Sequence, residues 1–371
     1  MPTYNFNGGP AAIPLAVLQK TQRDLLDFEG TGISILETSF RSPPYLALHD
    51  RTVALLRNLY GVPETHRVLL LQGSASQQFA MIPMNFLPHG ASADYLLTGF
   101  FSRLAYDEAQ TIGNVRVAAT AGANGLWMPD DELDLDDRAA YAHATLNNTS
   151  EGTEFARPPD TGHVPLIADM SSNFFSRRIN MEKYGLIYAG GQKNLGPSGM
   201  VVVIVKNDLI ARGRSDIPAI WQYRVHAETN SLYHTPPGFS IYLLHNFLSW
   251  AESIGGLVQL EAWNAEKSRL LYAIVDRFPD FYRCLVAPEI RSRMNVVFRL
   301  PTELLEQQFL SEAERANMIG LTNHPAVGGL RVSLYNGVEL EAVERLCDFM
   351  ESFALGHQPA ERQRYTAELH G

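Results

Sequence analysis

The sequence predicts an α/β fold organised around a mostly parallel sheet with both faces covered. Three observations carry this reading. Between residues 67 and 205 short apolar runs alternate with helical patterns. The run Arg67–Gln72 passes through Gly73-Ser-Ala-Ser76 directly into the helical stretch Gln77–Phe86, a strand–turn–helix unit. Two later apolar runs end in reactive side chains, Val164–Ala168 in Asp169 and Leu186–Ala189 in Lys193.

Taken in order, residues 1–15 hold Gly8, Gly9, Pro10 and Pro14 and read as an irregular arm lying against a neighbouring surface. Leu15–Phe28 has the apolar spacing of an amphipathic helix. Pro43 and Pro44 are expected to bar helix and leave Arg41 on a loop, with a helix resuming over Tyr45–Tyr60. Ala93–Leu97 and Ala142–Leu146 read as strands, Asp130–Asp137 as a solvated acidic loop. Ser240–Ser253 reads as a helix closed by Gly255-Gly256, which we take as the boundary between a large domain, 16–255, and a smaller α+β domain, 256–355. That second domain is predicted to hold a helix at 257–277, strands at 295–300 and 329–334, a helix from Glu303 and a last helix Leu340–Phe353. Residues 356–371 form a polar tail without apolar period.

The composition, 46% hydrophobic and 19% charged, is that of a globular protein. A formal net charge of −10 argues against nucleic acid or an anionic membrane as the main partner. No apolar run approaches the ~18 residues of a membrane span, and the N-terminus lacks a signal-like segment, so the expected location is the cytoplasm. The only cysteines, Cys284 and Cys347, fit no metal spacing and read as buried thiols of a reducing compartment.

A lysine and an aspartate ending two strands of one sheet would face the crevice where α/β sheets bind ligands. Taken singly, Lys193 is an ordinary loop lysine and Asp169 a turn former. As a pair they suit pyridoxal 5'-phosphate (PLP): the lysine amine forms a Schiff base with the aldehyde, and the carboxylate keeps the pyridine nitrogen protonated. Gly73–Ser76 then reads as the cradle for the cofactor's phosphate, because the first N–H groups of a helix point at one spot.

The segments Ala168–Arg177 and Tyr188–Gly199 resemble the phosphoserine aminotransferase family, class V members of the fold type I PLP enzymes. So do Tyr4–Pro14, the loop His234–Phe239 and Ser292–Phe298, and the likeness runs over roughly residues 4 to 355. It implies a large domain with a seven-stranded sheet and an obligate homodimer with shared active sites. It implies roles for Ala75 and Ser76 (backbone N–H groups to the phosphate), Phe101 (stacking on the ring, where the family has tryptophan), Thr149 (phenolic oxygen), Ser171 and Gln192 (phosphate side). His234 and Thr235 would reach the partner's phosphate, and Arg331 would grip the substrate α-carboxylate by a bidentate fork. The activity it implies is transfer of an amino group between glutamate or O-phosphoserine and a 2-keto acid, with Lys193 also moving the proton.

One part of the family pattern is depleted. The family binds the substrate's distal anion with two His-Arg pairs and an arginine in the glycine-rich turn. This chain has Phe40-Arg41, Ser76 and His324-Pro325 at those places, keeping Arg41 and His324. At ~1.5–3 kcal/mol per charge-assisted hydrogen bond, two lost arginines amount to ~3–6 kcal/mol of anion binding. An alternative reading is therefore the same chemistry on a less anionic amino or keto acid; Arg103 or Arg178 compensating from new positions is the counter-reading. A desulfurase or lyase would need a reactive cysteine on a mobile loop, which neither cysteine suits. A PLP-binding remnant without turnover would have no need of Arg331.

Overall fold

The computed structural model describes residues 3–121 and 133–357. A central seven-stranded sheet runs in the order 66–72, 200–206, 186–190, 166–169, 142–145, 92–97, 114–120. All neighbours pair parallel except 200–206, which is antiparallel to the strands on either side. The exception follows from chain length. Only Gly191–Gly199 separates strand 186–190 from 200–206, too short for the crossover that a parallel pair requires.

The strands at the centre are buried on both faces, which is why they read as continuous Val, Ile, Leu and Ala runs instead of alternating. Separate apolar clusters cover the two faces. One holds Val68, Leu70, Ile187, Val202 and Phe247; the other holds Leu69, Leu71, Phe79, Tyr188 and Val203. Alternate residues of one strand thus enter opposite clusters, as the pleat demands.

A second core surrounds the antiparallel pair Asn295–Phe298 and Leu330–Ser333, packed with helices Glu303–Arg315 and Leu340–His357. Helix Gly256–Arg277 contacts both that last helix and helix Gly238–Ser253, and so joins the two cores. The arm is more regular than its breakers suggest. Tyr4–Asn5 pairs parallel with Met318–Ile319, and Phe6 is buried in the second core.

Some boundaries differ from the sequence reading. The first helix stops at Asp24, whose carboxylate accepts from the Tyr242 hydroxyl at 2.8 Å, well short of Phe28. Pro43 and Pro44 begin the next helix, since its first-turn N–H groups have no acceptor to lose. The last helix runs to His357, so Gly356 and His357 belong to it; the rest of the expected tail lies outside the described residues. Of the acidic run, 130–132 also lie outside, while Asp134 and Asp136 pair with Arg116, which reaches the buried Asp94 at 3.1 Å.

Candidate active site

At the carboxyl edge of the parallel strands lies a cavity of about 220 Å³. Its walls come from the arm (Gly8, Gly9), the 74–76 turn, the ends of three strands and the second core. The sequence-predicted Ala75, Ser76, Phe101, Thr149, Asp169, Ser171, Gln192, Lys193, His324 and Arg331 all line it.

Lys193 enters it from the turn after strand 186–190. Its Nζ donates to Thr149 Oγ1 at 2.7 Å and stands 5.0 Å from the centre of the Phe101 ring. Burial pushes this ammonium down to about 8; the carboxylates of Asp169 and Glu151 oppose the shift, and the Arg331 charge adds to it. A substantial neutral fraction at physiological pH makes the amine a carbonyl nucleophile.

Asp169 ends strand 166–169 and is buried. Its Oδ1 accepts from the Ser171 N–H at 2.8 Å, and the Tyr188 hydroxyl acts electrostatically on the same carboxylate. Burial raises its pKa, and Lys193 is the largest influence restraining the rise. Ser171 Oγ accepts the Gly190 N–H at 3.1 Å and so ties the two functional strand ends together.

On the opposite wall, Ser74 caps helix Ala75–Phe86 by accepting the Gln77 N–H. Ala75 and Ser76 therefore face the cavity at a helix N-terminus, an anion-binding geometry. Arg331 rises from strand 330–333, its Nη1 donating to Asn323 Oδ1 at 3.3 Å. Asn323 is itself fixed by bonds to Ser150 O and Gly328 O. The guanidinium lies against Gly8, where a Cβ would come within 2.2 Å of Nη2, so the position admits only glycine without moving the arginine. His324 packs its ring 4.6 Å from that of Phe100.

Three expected residues are elsewhere. Arg41 is exposed, its guanidinium 4.6 Å over the Phe40 ring, and Phe40 packs on the Phe28, Tyr45 and Tyr242 cluster. His234 and Thr235 form a separate loop, His234 Nδ1 lying 3.0 Å from Thr235 O. None of the three lines this chain's cavity.

The sequence reading missed Glu151. Its Oε1 accepts the Phe100 N–H at 2.7 Å, burial raises its pKa, and its charge acts on both Lys193 and Arg331. The one available signal was its place two residues beyond Thr149. A larger cavity of about 360 Å³ lies away from this chemistry, lined by Trp250, Trp263 and Leu15. The Lys267 ammonium beneath it donates to Leu334 O, Tyr335 O and Val338 O, which occupies its three protons.

The donor set fits PLP: an amine of depressed pKa, a buried carboxylate, a helix N-terminus, and the buried atoms Thr145 Oγ1 and Arg331 Nε, which have no partner among the described residues, on residues that line the cavity. Fold and site together define a PLP-dependent enzyme. The chain belongs to the class-V aminotransferase family, whose model (Aminotransferase class-V) matches residues 3–346. It is a PLP-dependent transaminase. It is 47% identical to a phosphoserine aminotransferase of Herpetosiphon aurantiacus over 95% of this chain and 99% of that one. The structure of phosphoserine aminotransferase from Bacillus circulans subsp. alkalophilus superposes with a TM-score of 0.94 at 46% identity, covering 96% and 99% of the two chains. A PLP-bound phosphoserine aminotransferase from Trichomonas vaginalis gives 0.90 at 36% identity, covering 94% and 100%.

Proposed function

We propose that the protein moves the amino group between glutamate and O-phosphoserine, through their 2-keto acids, as a step of serine biosynthesis. The observation that carries this reading is the convergence of Lys193, Asp169 and Arg331 on one cavity in a chain alike over its full length to phosphoserine aminotransferases. The bound cofactor supplies a reactive aldehyde and an electron-withdrawing ring. Lys193 would hold the cofactor's aldehyde, and its amine would carry the proton to and from the substrate α-carbon. Asp169 keeps the ring nitrogen protonated. Ala75 and Ser76 would offer N–H groups to the cofactor's phosphate, Ser171 and Gln192 would stand on the same side, Thr149 would serve the phenolic oxygen and Phe101 would cover the ring. Arg331 binds the α-carboxylate, and His324 the distal end of the substrate. Residues 16–255 act as the cofactor domain and 256–355 as the smaller domain.

Arg41, His234 and Thr235 serve a second copy of the chain in a homodimer. Two things support this: none of them lines its own cavity, and apolar side chains flank them on the surface. Leu26, Ile33, Leu36 and Tyr233 are 45–83% exposed, on segments that pack together through Phe28, Ile35, Phe40, Leu232 and Phe239. The cytoplasm is the setting such a reaction implies; among the described residues no helix is long and apolar enough to cross a membrane.

A second reading, transamination of a less anionic substrate, is favoured by one observation. Among the described residues Arg331 is the only arginine lining the cavity, and Pro325 follows His324. The test is to reconstitute the protein with PLP and follow the cofactor's absorbance while single amino acids are added. Amine transfer from phosphoserine and glutamate at low concentration supports the first reading. Transfer only from neutral or aromatic amino acids overturns it in favour of the second.

A further inference from the structure

Next to Asp169, within the buried part of the sheet, the structure holds polar groups that do not line the cavity. Tyr188 is the residue paired with Asp169 across strands 186–190 and 166–169, and its hydroxyl interacts with the carboxylate. The same hydroxyl lies 2.9 Å from His143 Nε2 on strand 142–145. Both rings are buried, and the His143 ring stacks on Tyr95 at 4.9 Å with an interplanar angle of 21°.

The direction of these bonds follows from counting protons. His143 Nδ1 is buried without a hydrogen-bond partner among the described residues. A bare nitrogen lone pair there costs less than a buried N–H with no acceptor, so the ring carries its proton on Nε2. That N–H donates to the Tyr188 oxygen, leaving the tyrosine hydrogen free to point at Asp169. The other tautomer would have Tyr188 donate to His143 and turn its lone pairs toward the carboxylate. Burial alone pushes the imidazole down to about 3, so it is neutral at any working pH.

We infer that Tyr188 and His143 are positioning residues that hold Asp169 in its anionic form and aim it at the cofactor's ring nitrogen. The inference rests on the assignment of Asp169 to that nitrogen. A buried carboxylate facing a pyridine can take the shared proton itself and leave the ring neutral. A neutral ring is a poorer electron sink. The directed donors His143 → Tyr188 → Asp169 stabilise charge on the carboxylate and so leave the proton on the ring. Lys193 and Ser171 act on the same carboxylate from the cavity side, which is why the chain is needed where neither reaches. Tyr188 and His143 look like ordinary core residues by burial, yet an all-apolar pair would fill the same space without an orphaned nitrogen.

The test compares the affinity of the cofactor-free protein for PLP and for its 1-deaza analogue, in which CH replaces the ring nitrogen. Wild type is expected to prefer PLP, and Asp169→Ala to lose that preference. Tyr188→Phe, which keeps the ring and removes the hydroxyl, is expected to lower the preference about tenfold, the worth of one ordinary hydrogen bond to a charged group. His143→Leu should lower it severalfold, whereas His143→Gln, which retains an N–H donor, should preserve it. A wild-type ratio in Tyr188→Phe, or an equal loss of both ligands, overturns the inference. If Tyr188→Phe does not fold, equal ratios in the two His143 variants overturn it. If Asp169→Ala keeps the preference, the assignment of Asp169 itself is what fails.

Discussion

Lys193 Nζ and Thr149 Oγ1 are 2.7 Å apart, so the amine proposed to take the cofactor's aldehyde is held at a fixed point in the cavity. Burial brings the ammonium's pKa down to about 8, although the carboxylates of Asp169 and Glu151 oppose the shift. In the cofactor-free protein, acylation of Lys193 by acetic anhydride, read by mass spectrometry of its peptide, should therefore inflect near pH 8, not near the 10.5 of a solvated lysine. The sign for stability follows. The unfolded chain binds more protons between those two values, so the unfolding free energy rises with pH across that window. Lys193→Ala should abolish both the labelling and this part of the pH dependence. An inflection above pH 10 would show that the amine is solvated and that the site is not formed as described.

Gly8 and Arg331 are in contact in a way that leaves no room for a methyl group. Gly8→Ala should displace the guanidinium and break its bond to Asn323. The displaced atoms belong to the flexible end of a side chain, so the fold should survive. Losing one or two charge-assisted bonds to the substrate carboxylate, ~1.5–3 kcal/mol each, should raise KM for the amino donor by roughly tenfold or more. PLP affinity, measured by fluorescence quenching, should stay unchanged. A variant with unchanged KM would remove Arg331 as the α-carboxylate receptor.

Lys193 and Asp169 were legible in the sequence because each ends an apolar run, and a charged residue there must face a crevice or be paired. The sheet was legible for the same reason: its strands are buried on both faces and read as unbroken apolar stretches. Tyr188 and His143 were not legible. A tyrosine or histidine inside such a stretch looks like core, and only the register of three strands brings their polar atoms to Asp169. Glu151 was hidden because its partner, the Phe100 N–H, lies 51 residues away in sequence. Pro43 and Pro44 were misread because a proline that breaks a helix interior is well placed in its first turn.

Lys267 is the buried cation that fastens the chain immediately after the strand bearing Arg331. Its ammonium serves three carbonyl oxygens of residues 334–338, and Asn336 in the same segment bonds both ends of Asn194, the neighbour of Lys193. Lys267→Met keeps most of the side-chain volume and removes all three donors. Tyr335 O would keep the Val338 N–H at 2.8 Å, while Leu334 O and Val338 O would lose the donor that Lys267 gives them, at a cost of ~3–5 kcal/mol in total. The urea midpoint should fall accordingly. An unchanged midpoint would mean that the segment is held by Asn336 alone.

Arg41 and Lys193 belong to different active sites if the dimer is arranged as proposed, and mixing variants tests this directly. Lys193→Ala has no reactive amine but a normal Arg41; Arg41→Ala has a normal amine but lacks the exposed guanidinium that lies over Phe40. Each alone should be impaired in transfer from phosphoserine, the first completely. When the two are unfolded together in equal amounts and refolded, about half the dimers are hybrids by random pairing, and each hybrid contains one site with both residues intact. Activity with phosphoserine should then return to about a quarter of the wild-type value, well above the mean of the separate variants. If Arg41 instead acted within its own chain, every hybrid site would lack either the lysine or the arginine. The mixture would do no better than that mean, and the shared-site dimer would be excluded.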